Sequence, residues 1–394
     1  MIVDTASSAQ ETSMNRTPRR LKALAAAVLT LAAGSALADV TIGICLPLTG
    51  PASGLGIPVA NQIKLWPKSI GGEKLNVIVL DDATDPTKGV TNAKRFVTED
   101  NADIIMGSVA TPVAIPMADV ALESNTPHFM FSPAVLPAGK DAWSFRVPQG
   151  NAVMAFAMIE HMKKQGIKTV GFLGYTDAYG ESWLRDFQDQ SKALNGPKVV
   201  ATERFARSDT SVTAQALKLV SANPEAMLVV ASGSGAAMPH KALVERGYKG
   251  KIYQTHAAAS RDLIRVGGKD VEGSYVVSGP ALVPEQLSAA HPSKAVAQKF
   301  VDQYEAAYGK GSRNQFAGHG YDAVIILEKI IPVALKKAKP GTKEFRAALR
   351  EATETMGRTI LAHGVLNYTK DNHWGYTTET GVMLKVAGGD WKVE

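Results

Sequence analysis

The chain has 394 residues, of which 45% are hydrophobic and 20% charged, and a formal net charge of +6. That length exceeds one ordinary hydrophobic core and predicts two lobes or domains. The basic residues are scattered, leaving +4 over residues 39–394, which argues against a nucleic-acid or anionic-membrane surface; a single cysteine, Cys45, excludes an intrachain disulfide.

At the N-terminus, Arg16, Arg19, Arg20 and Lys22 precede an apolar run from Leu24 to Ala33, followed by Gly34-Ser35 and Ala36-Leu37-Ala38. A basic region, a short apolar stretch and an Ala-x-Ala site read as a signal peptide over residues 1–38, with Met14 an alternative start and Asp39 the first mature residue. The run is too short to span a bilayer. Cys45 lacks the small residues a lipidated cysteine needs before it and is expected in the core of the first strand. The expectation is an exported, soluble mature protein.

From Val40 the chain alternates short β-branched runs with helical stretches. Strands are predicted at Val40–Leu46, Leu75–Asp81, Ile104–Gly107 and His128–Phe131. Helices are predicted at Ile57–Ile70, Thr87–Glu99 and Pro112–Ser124. The pattern restarts near Ala152: helix Met154–Gln165, strand Thr169–Gly174, helix Glu181–Leu194, strand Val199–Phe205, helix Val212–Ala222, strand Ala226–Ala231 and helix Gly235–Arg246. Two further strands follow at Lys251–Gln254 and Ser274–Val277. The last third is mainly helical, at Ser293–Tyr308, Gly320–Lys337 and Lys343–Ala352, before strands at Gly364–Tyr368 and Thr380–Val386. Such β-α alternation, run twice, predicts an α/β protein of two doubly wound lobes with parallel sheets. The lobes are expected at 39–150 plus 281–362 and at 151–280 plus 363–394.

Motifs for chemistry fail in turn. There is no Gly-Lys-Ser or Gly-Lys-Thr, and Gly54-Leu55-Gly56 lacks the third glycine of a dinucleotide fingerprint because Val59 stands there. There is no His-Glu-x-x-His or cysteine pair for zinc, Gly233-Ser234-Gly235 lacks the spacing of a nucleophile elbow, and Ser-x-x-Lys does not occur. The expectation is a non-enzyme with no cofactor, no metal and no catalytic residue. Five loops rich in small hydroxyl residues instead follow predicted strands: Thr49–Gly54, Ser108–Pro112, Ser132–Val135, Tyr175–Gly180 and Ser232–Gly235. Hydroxyls and open backbone N–H groups at helix starts suit a carboxylate, although each Ser or Thr also fits a simple N-cap. In doubly wound sheets such loops surround a shared cleft.

The stretch Ile42-Gly43-Ile44-Cys45-Leu46-Pro47-Leu48-Thr49-Gly50-Pro51 resembles the opening of the leucine-binding-protein-like family of periplasmic solute-binding proteins. Asp81-Asp82-Ala83-Thr84-Asp85-Pro86, Gly107-Ser108-Val109-Ala110-Thr111, Ser132-Pro133-Ala134, Phe145-Arg146, Asp177-Ala178-Tyr179-Gly180 and the tail from His363 to Val393 fit in the same order. The resemblance implies the type I periplasmic binding protein fold, two lobes joined by a three-segment hinge, and delivery of a small organic acid or amino acid to an inner-membrane ABC permease with ATPase subunits. It implies a monomer with no nucleic-acid partner. It also implies that Thr111, with Ser108 and Ala110, receives a ligand carboxylate, that Ala134, Val135 and Leu136 assist, and that Tyr179 closes over the ligand. Ser232, Ser234 and His256 complete the expected site.

Two positions depart from the family pattern. Leu136 stands where a threonine is expected, and no Asp or Glu lies in Gln254-Thr255-His256-Ala257-Ala258 to pair with an ammonium group. An unpaired buried ammonium costs several kcal/mol. The expected ligand is therefore a carboxylate without an α-ammonium, such as an aromatic acid. A branched-chain amino acid is the alternative, ahead of a sensory binding module or an exported hydrolase.

Overall fold

In the computed structural model, residues 39–394 are described; the signal-peptide reading over 1–38 lies outside them. The first six strands are β1 (Val40–Leu46), β2 (Ser69–Ile70), β3 (Glu73–Asp81), β4 (Ile104–Gly107), β5 (His128–Met130) and β6 (Ser144–Arg146). They form one sheet in the order β2-β3-β1-β4-β5-β6, parallel except for the β2–β3 pair. Every residue of β1 is buried, as a strand covered on both faces requires. Alternate side chains serve opposite faces. Ile42, Ile44 and Leu46 pack in a core with Leu55 and Val59 of helix α1 (Ser53–Ile63), whereas Cys45 and Ile105 join Phe96 of α2 (Pro86–Thr98) and Val113 and Met117 of α3 (Thr111–Ser124).

The second sheet begins beyond helix α4 (Asn151–Lys164). Strands β7 (Thr169–Tyr175), β8 (Lys198–Phe205), β9 (Ala226–Val230), β10 (Lys251–Gln254) and β11 (Tyr275–Ser278) alternate with α5 (Ala178–Ala193), α6 (Thr213–Ser221), α7 (Ala237–Glu245) and α8 (Arg261–Gly267). After β11 the chain runs into three helices, α9 (Lys294–Tyr308), α10 (Gln315–Leu335) and α11 (Lys343–Glu354). These pack beside the first sheet: Trp66 donates to Gly320 O at 3.0 Å, and Gly341 N donates to Asp103 at 2.7 Å. A small hairpin follows, β12 (Thr359–Leu361) with β13 (Gly364–Leu366). The chain then re-enters the second sheet as β14 (Val382–Ala387) and β15 (Asp390–Val393), giving the order β15-β14-β11-β10-β9-β7-β8. No helix among the described residues is long and apolar enough to cross a membrane.

Several elements differ from expectation. The first helix starts at Ser53 and stops at Ile63, because Pro67 disfavours helix just before it and Ser69–Ile70 instead turns back onto Glu73–Lys74. The strand expected at Gly364–Tyr368 is shorter and pairs with β12 rather than with the second sheet. Strands β6 and β15 were not expected as elements, and the second sheet ends in two antiparallel strands.

Three chain crossings between the sheets lie side by side. Gln149, after β6, donates from Nε2 to His363 O at 2.9 Å. Gly279, after β11, sits against both: a Cβ there would lie 2.5 Å from Gln149 Nε2 and 2.7 Å from His363 Cδ2. Only a residue without a side chain fits at 279. His363 is anchored from α10 by Asp322, which accepts from its Nδ1 at 2.7 Å and from Ala362 N at 2.6 Å.

Candidate ligand-binding site

The order β3-β1-β4 in one sheet and β8-β7-β9 in the other makes each strand order reverse beside its first strand, and at such reversals the loops beyond the carboxyl ends splay apart into a crevice. Those loops line one cavity, whose free space together with the open solvent at its mouth is about 330 Å³. The first-sheet side contributes Leu55 of α1, Val109 and Thr111 after β4, Phe131 and Pro133 after β5, and Pro148 after β6. The second contributes Tyr179 after β7, Arg207 after β8, Ser232 after β9, and His256 and Ala257 after β10. Phe316 and His319 of α10 complete the wall. The two sides meet at the rim, where a side chain on Gly233 would touch Leu55 at 3.2 Å.

Of the ten expected site residues, Thr111, Tyr179, Ser232 and His256 line this cavity. Thr111 begins α3, and its buried Oγ1 has no partner among the described residues. Tyr179 follows Asp177, whose Oδ1 caps α5 by accepting from Tyr179 N at 2.9 Å and Gly180 N at 3.3 Å. The Tyr179 hydroxyl donates to Thr255 at 2.9 Å, and burial holds its pKa above the usual phenol value. Ser232 accepts from Arg207 at 3.0 Å. His256 is buried with its Nδ1 unpartnered among the described residues and its ring 5.7 Å from that of Trp183, and burial together with nearby His363 pushes its pKa down to about 3.

The other six do not reach the cavity. Ser108 turns its hydroxyl back to accept from Ala110 N at 3.1 Å, so Ser108 and Ala110 shape the loop. Buried Arg146 donates from Nε to Ala134 O at 2.9 Å and pairs with Asp141 at 2.5 Å. This hold directs Ala134 and Leu136 into a small core with Ala114, Ala118 and Met130, and leaves Val135 41% exposed. Ser234 is also exposed.

Residues that the sequence did not single out supply much of the wall. Arg207 is the cation of the site: Nε donates to Asp177 Oδ2 at 2.5 Å, and the guanidinium lies 4.1 Å from the Tyr175 ring centroid. Among the described residues its hydrogen bonds go to Asp177 and Ser232, so further N–H donors remain for a ligand. His319 is buried, neither ring nitrogen has a partner among the described residues, and its ring centre lies 4.3 Å from that of His363. Burial first, then His363 and His256, hold its pKa well below the usual imidazole value. Phe131, Phe316, Leu55, Pro133 and Pro148 are apolar. Among the described residues no Asp or Glu lines the cavity, and no cluster of three or more His, Cys, Asp or Glu is placed to hold a metal ion.

The chain is similar to known proteins over most of its length. The profile of a family described as periplasmic binding protein matches residues 39–384. A solved extracellular ligand-binding receptor from Rhodopseudomonas palustris is 48% identical, covers 91% of this chain and 100% of its own, and superposes with a TM-score of 0.87. A Leu/Ile/Val-binding protein homolog from Brucella melitensis is 25% identical over 86% of this chain and 89% of its own length. At 21% identity, an R. palustris solute-binding protein solved with benzoate shares the fold, with a TM-score of 0.74 over 90% of this chain and 95% of its own.

Proposed function

The chain belongs to the leucine-binding-protein-like family of periplasmic binding proteins, which take up small ligands and work with ABC transporters, and we propose that it captures a small carboxylate without an α-ammonium group, an aromatic acid for preference. The lobes are 39–150 plus 281–362 and 151–280 plus 363–394, and the ligand sits between them. The protein works as a monomer in the periplasm after export by its signal peptide, performs no reaction, and hands its ligand to an inner-membrane permease.

The observation that carries this reading is the charge of the cavity wall: one guanidinium, Arg207, and no carboxylate among the described residues. A ligand carboxylate gains charge-assisted, fork-like hydrogen bonds from Arg207 and a further one from Thr111. An ammonium group would find no counter-charge. Asp177 does not supply one, since its oxygens already accept from Tyr179 N, Gly180 N and Arg207. Phe131, Phe316 and the two prolines offer the flat apolar walls an aromatic ring fills. The benzoate-bound R. palustris protein supports the reading in that the same fold accommodates an aromatic acid.

A branched-chain amino acid is the second reading, favoured by the name of the Brucella relative. Calorimetry with leucine, valine, benzoate and 4-hydroxybenzoate separates the two. Tighter binding of an amino acid than of every acid tested would overturn the proposal.

A further inference from the structure

We propose that the ligand carries, besides its carboxylate, a neutral hydroxyl group, and that His319 is the residue that receives it. The inference rests on the carboxylate reading above and names the second group that ligand must bear.

His319 is 1% exposed, lines the cavity, and has both ring nitrogens unpartnered among the described residues. A buried polar group left unpaired costs free energy that its place in the wall must recover on binding. Gly318 makes the position possible, because any side chain there would collide with the His363 imidazole. The His319 ring is held between His363, at 4.3 Å, and Phe316, at 5.8 Å. Its orientation is therefore set before a ligand arrives.

The chemistry of the group follows from what surrounds it. The titratable groups nearest His319 are His256, which also lines the cavity, His363 tilted against its ring, and Asp322 behind His363. Asp322 is engaged by His363 and by Ala362 N. Burial disfavours a charge on His319, and His256 and His363 disfavour it further. A second ligand carboxylate would face neutral imidazoles and lose its hydration without gaining a counter-charge. A neutral imidazole presents one donor and one acceptor, and a hydroxyl offers the complement of either. An unsubstituted acid leaves His319 unpaired, and sites built to hydrogen-bond a ligand hydroxyl discriminate strongly against the analogue that lacks it.

The test is calorimetry on the mature protein with matched acids: benzoate against 2-, 3- and 4-hydroxybenzoate, hexanoate against 6-hydroxyhexanoate, terephthalate as a dicarboxylate, and leucine as control. At least one hydroxylated acid should bind about 10-fold or more tightly than its parent and than terephthalate. His319→Phe should erase that preference, so that within the variant the hydroxylated acid and its parent bind alike. The wild-type ranking decides even if the variant folds poorly: a parent acid, or terephthalate, binding as tightly as every hydroxylated partner overturns the inference. A preference that survives in His319→Phe overturns the role of His319. Binding of leucine with no acid bound refutes the carboxylate reading itself, an outcome distinct from acids bound without regard to their hydroxyls.

Discussion

Arg207 lies over the ring of Tyr175, 4.1 Å from its centroid, with Nε on Asp177 and Nη1 on Ser232. The stack and the ion pair hold a long, otherwise mobile side chain in one posture at the cavity wall, so little ordering remains to be done when an anion arrives. Replacing Arg207 by Met should weaken binding of the preferred acid about 10- to 150-fold, the worth of hydrogen bonds to a charged group. Arg207→Lys should recover only part of this, because an ammonium lacks the planar fork. Unchanged affinity in Arg207→Met, measured by calorimetry, would remove Arg207 from the site.

Thr111 offers a cleaner probe. Its Oγ1 has no protein partner among the described residues, and it stands inside α3 rather than at the cap. Thr111→Val keeps the shape and removes the hydroxyl. Affinity should fall about 3- to 10-fold with the melting temperature nearly constant. A lower melting temperature with unaltered affinity would show that the hydroxyl serves the fold alone.

At His256 the expected change is one of preference. A carboxylate there supplies the counter-charge the cavity lacks, so His256→Glu should bind leucine or valine more tightly than wild type does and the acids less tightly. Competition between labelled leucine and benzoate reads the ratio directly, and a ratio equal to that of wild type would place His256 away from the ligand.

Stability should depend on pH through buried histidines. Burial lowers the pKa from 6.5 to about 3 for His256 and to about 4 for His128 and His240. Below pH 6.5 the unfolded chain binds protons that the folded chain refuses, so stability is full above that pH and falls as the solution is acidified toward 4. Each such group contributes about 1.4 kcal/mol per pH unit within the window. Buried Asp82 and Asp103, whose pKa values burial raises, oppose the trend on its acid side. Thermal denaturation from pH 8 to 4.5 should show a plateau and then a decline, shallower in His240→Gln. A melting temperature flat down to pH 4.5 would contradict this.

A ligand that touches Thr111 and Tyr179 joins elements of both sheets and should favour the arrangement in which both contacts exist. Small-angle scattering should report a smaller radius of gyration with saturating ligand than without. An identical radius in the two conditions counts against closure.

The sheets were legible because central parallel strands are buried on both faces: runs such as Val40–Leu46 and Ala226–Val230 have no polar side to disguise them. Thr111, Tyr179 and Ser232, which line the cavity, were legible as residues of loops at strand ends, and His256 entered through the resemblance. Arg207 was not, since Ala206-Arg207-Ser208-Asp209 after an edge strand reads as a solvated turn, and contacts with Asp177, Ser232 and the Tyr175 ring bring it inward. His319 escaped because the helix was expected from Gly320, whereas it starts at Gln315, although a histidine between two glycines in an apolar helix was a usable signal. Ala134 and Val135 were placed in the site by their loop after a predicted strand and, with Leu136, by resemblance, and what turns them away is Arg146, a contact between residues 12 apart that no local pattern encodes.

The close seating of Gln149, Gly279 and His363 has a consequence for how such chains diverge. Position 279 has no room for a methyl group while a histidine occupies 363 and a glutamine 149. Substitutions there are not inherited independently: a lineage that gains a side chain at 279 must first, or at the same time, shrink its neighbour at 149 or 363. Across an alignment of relatives the three columns should therefore vary as a set, with bulk at one matched by loss at another.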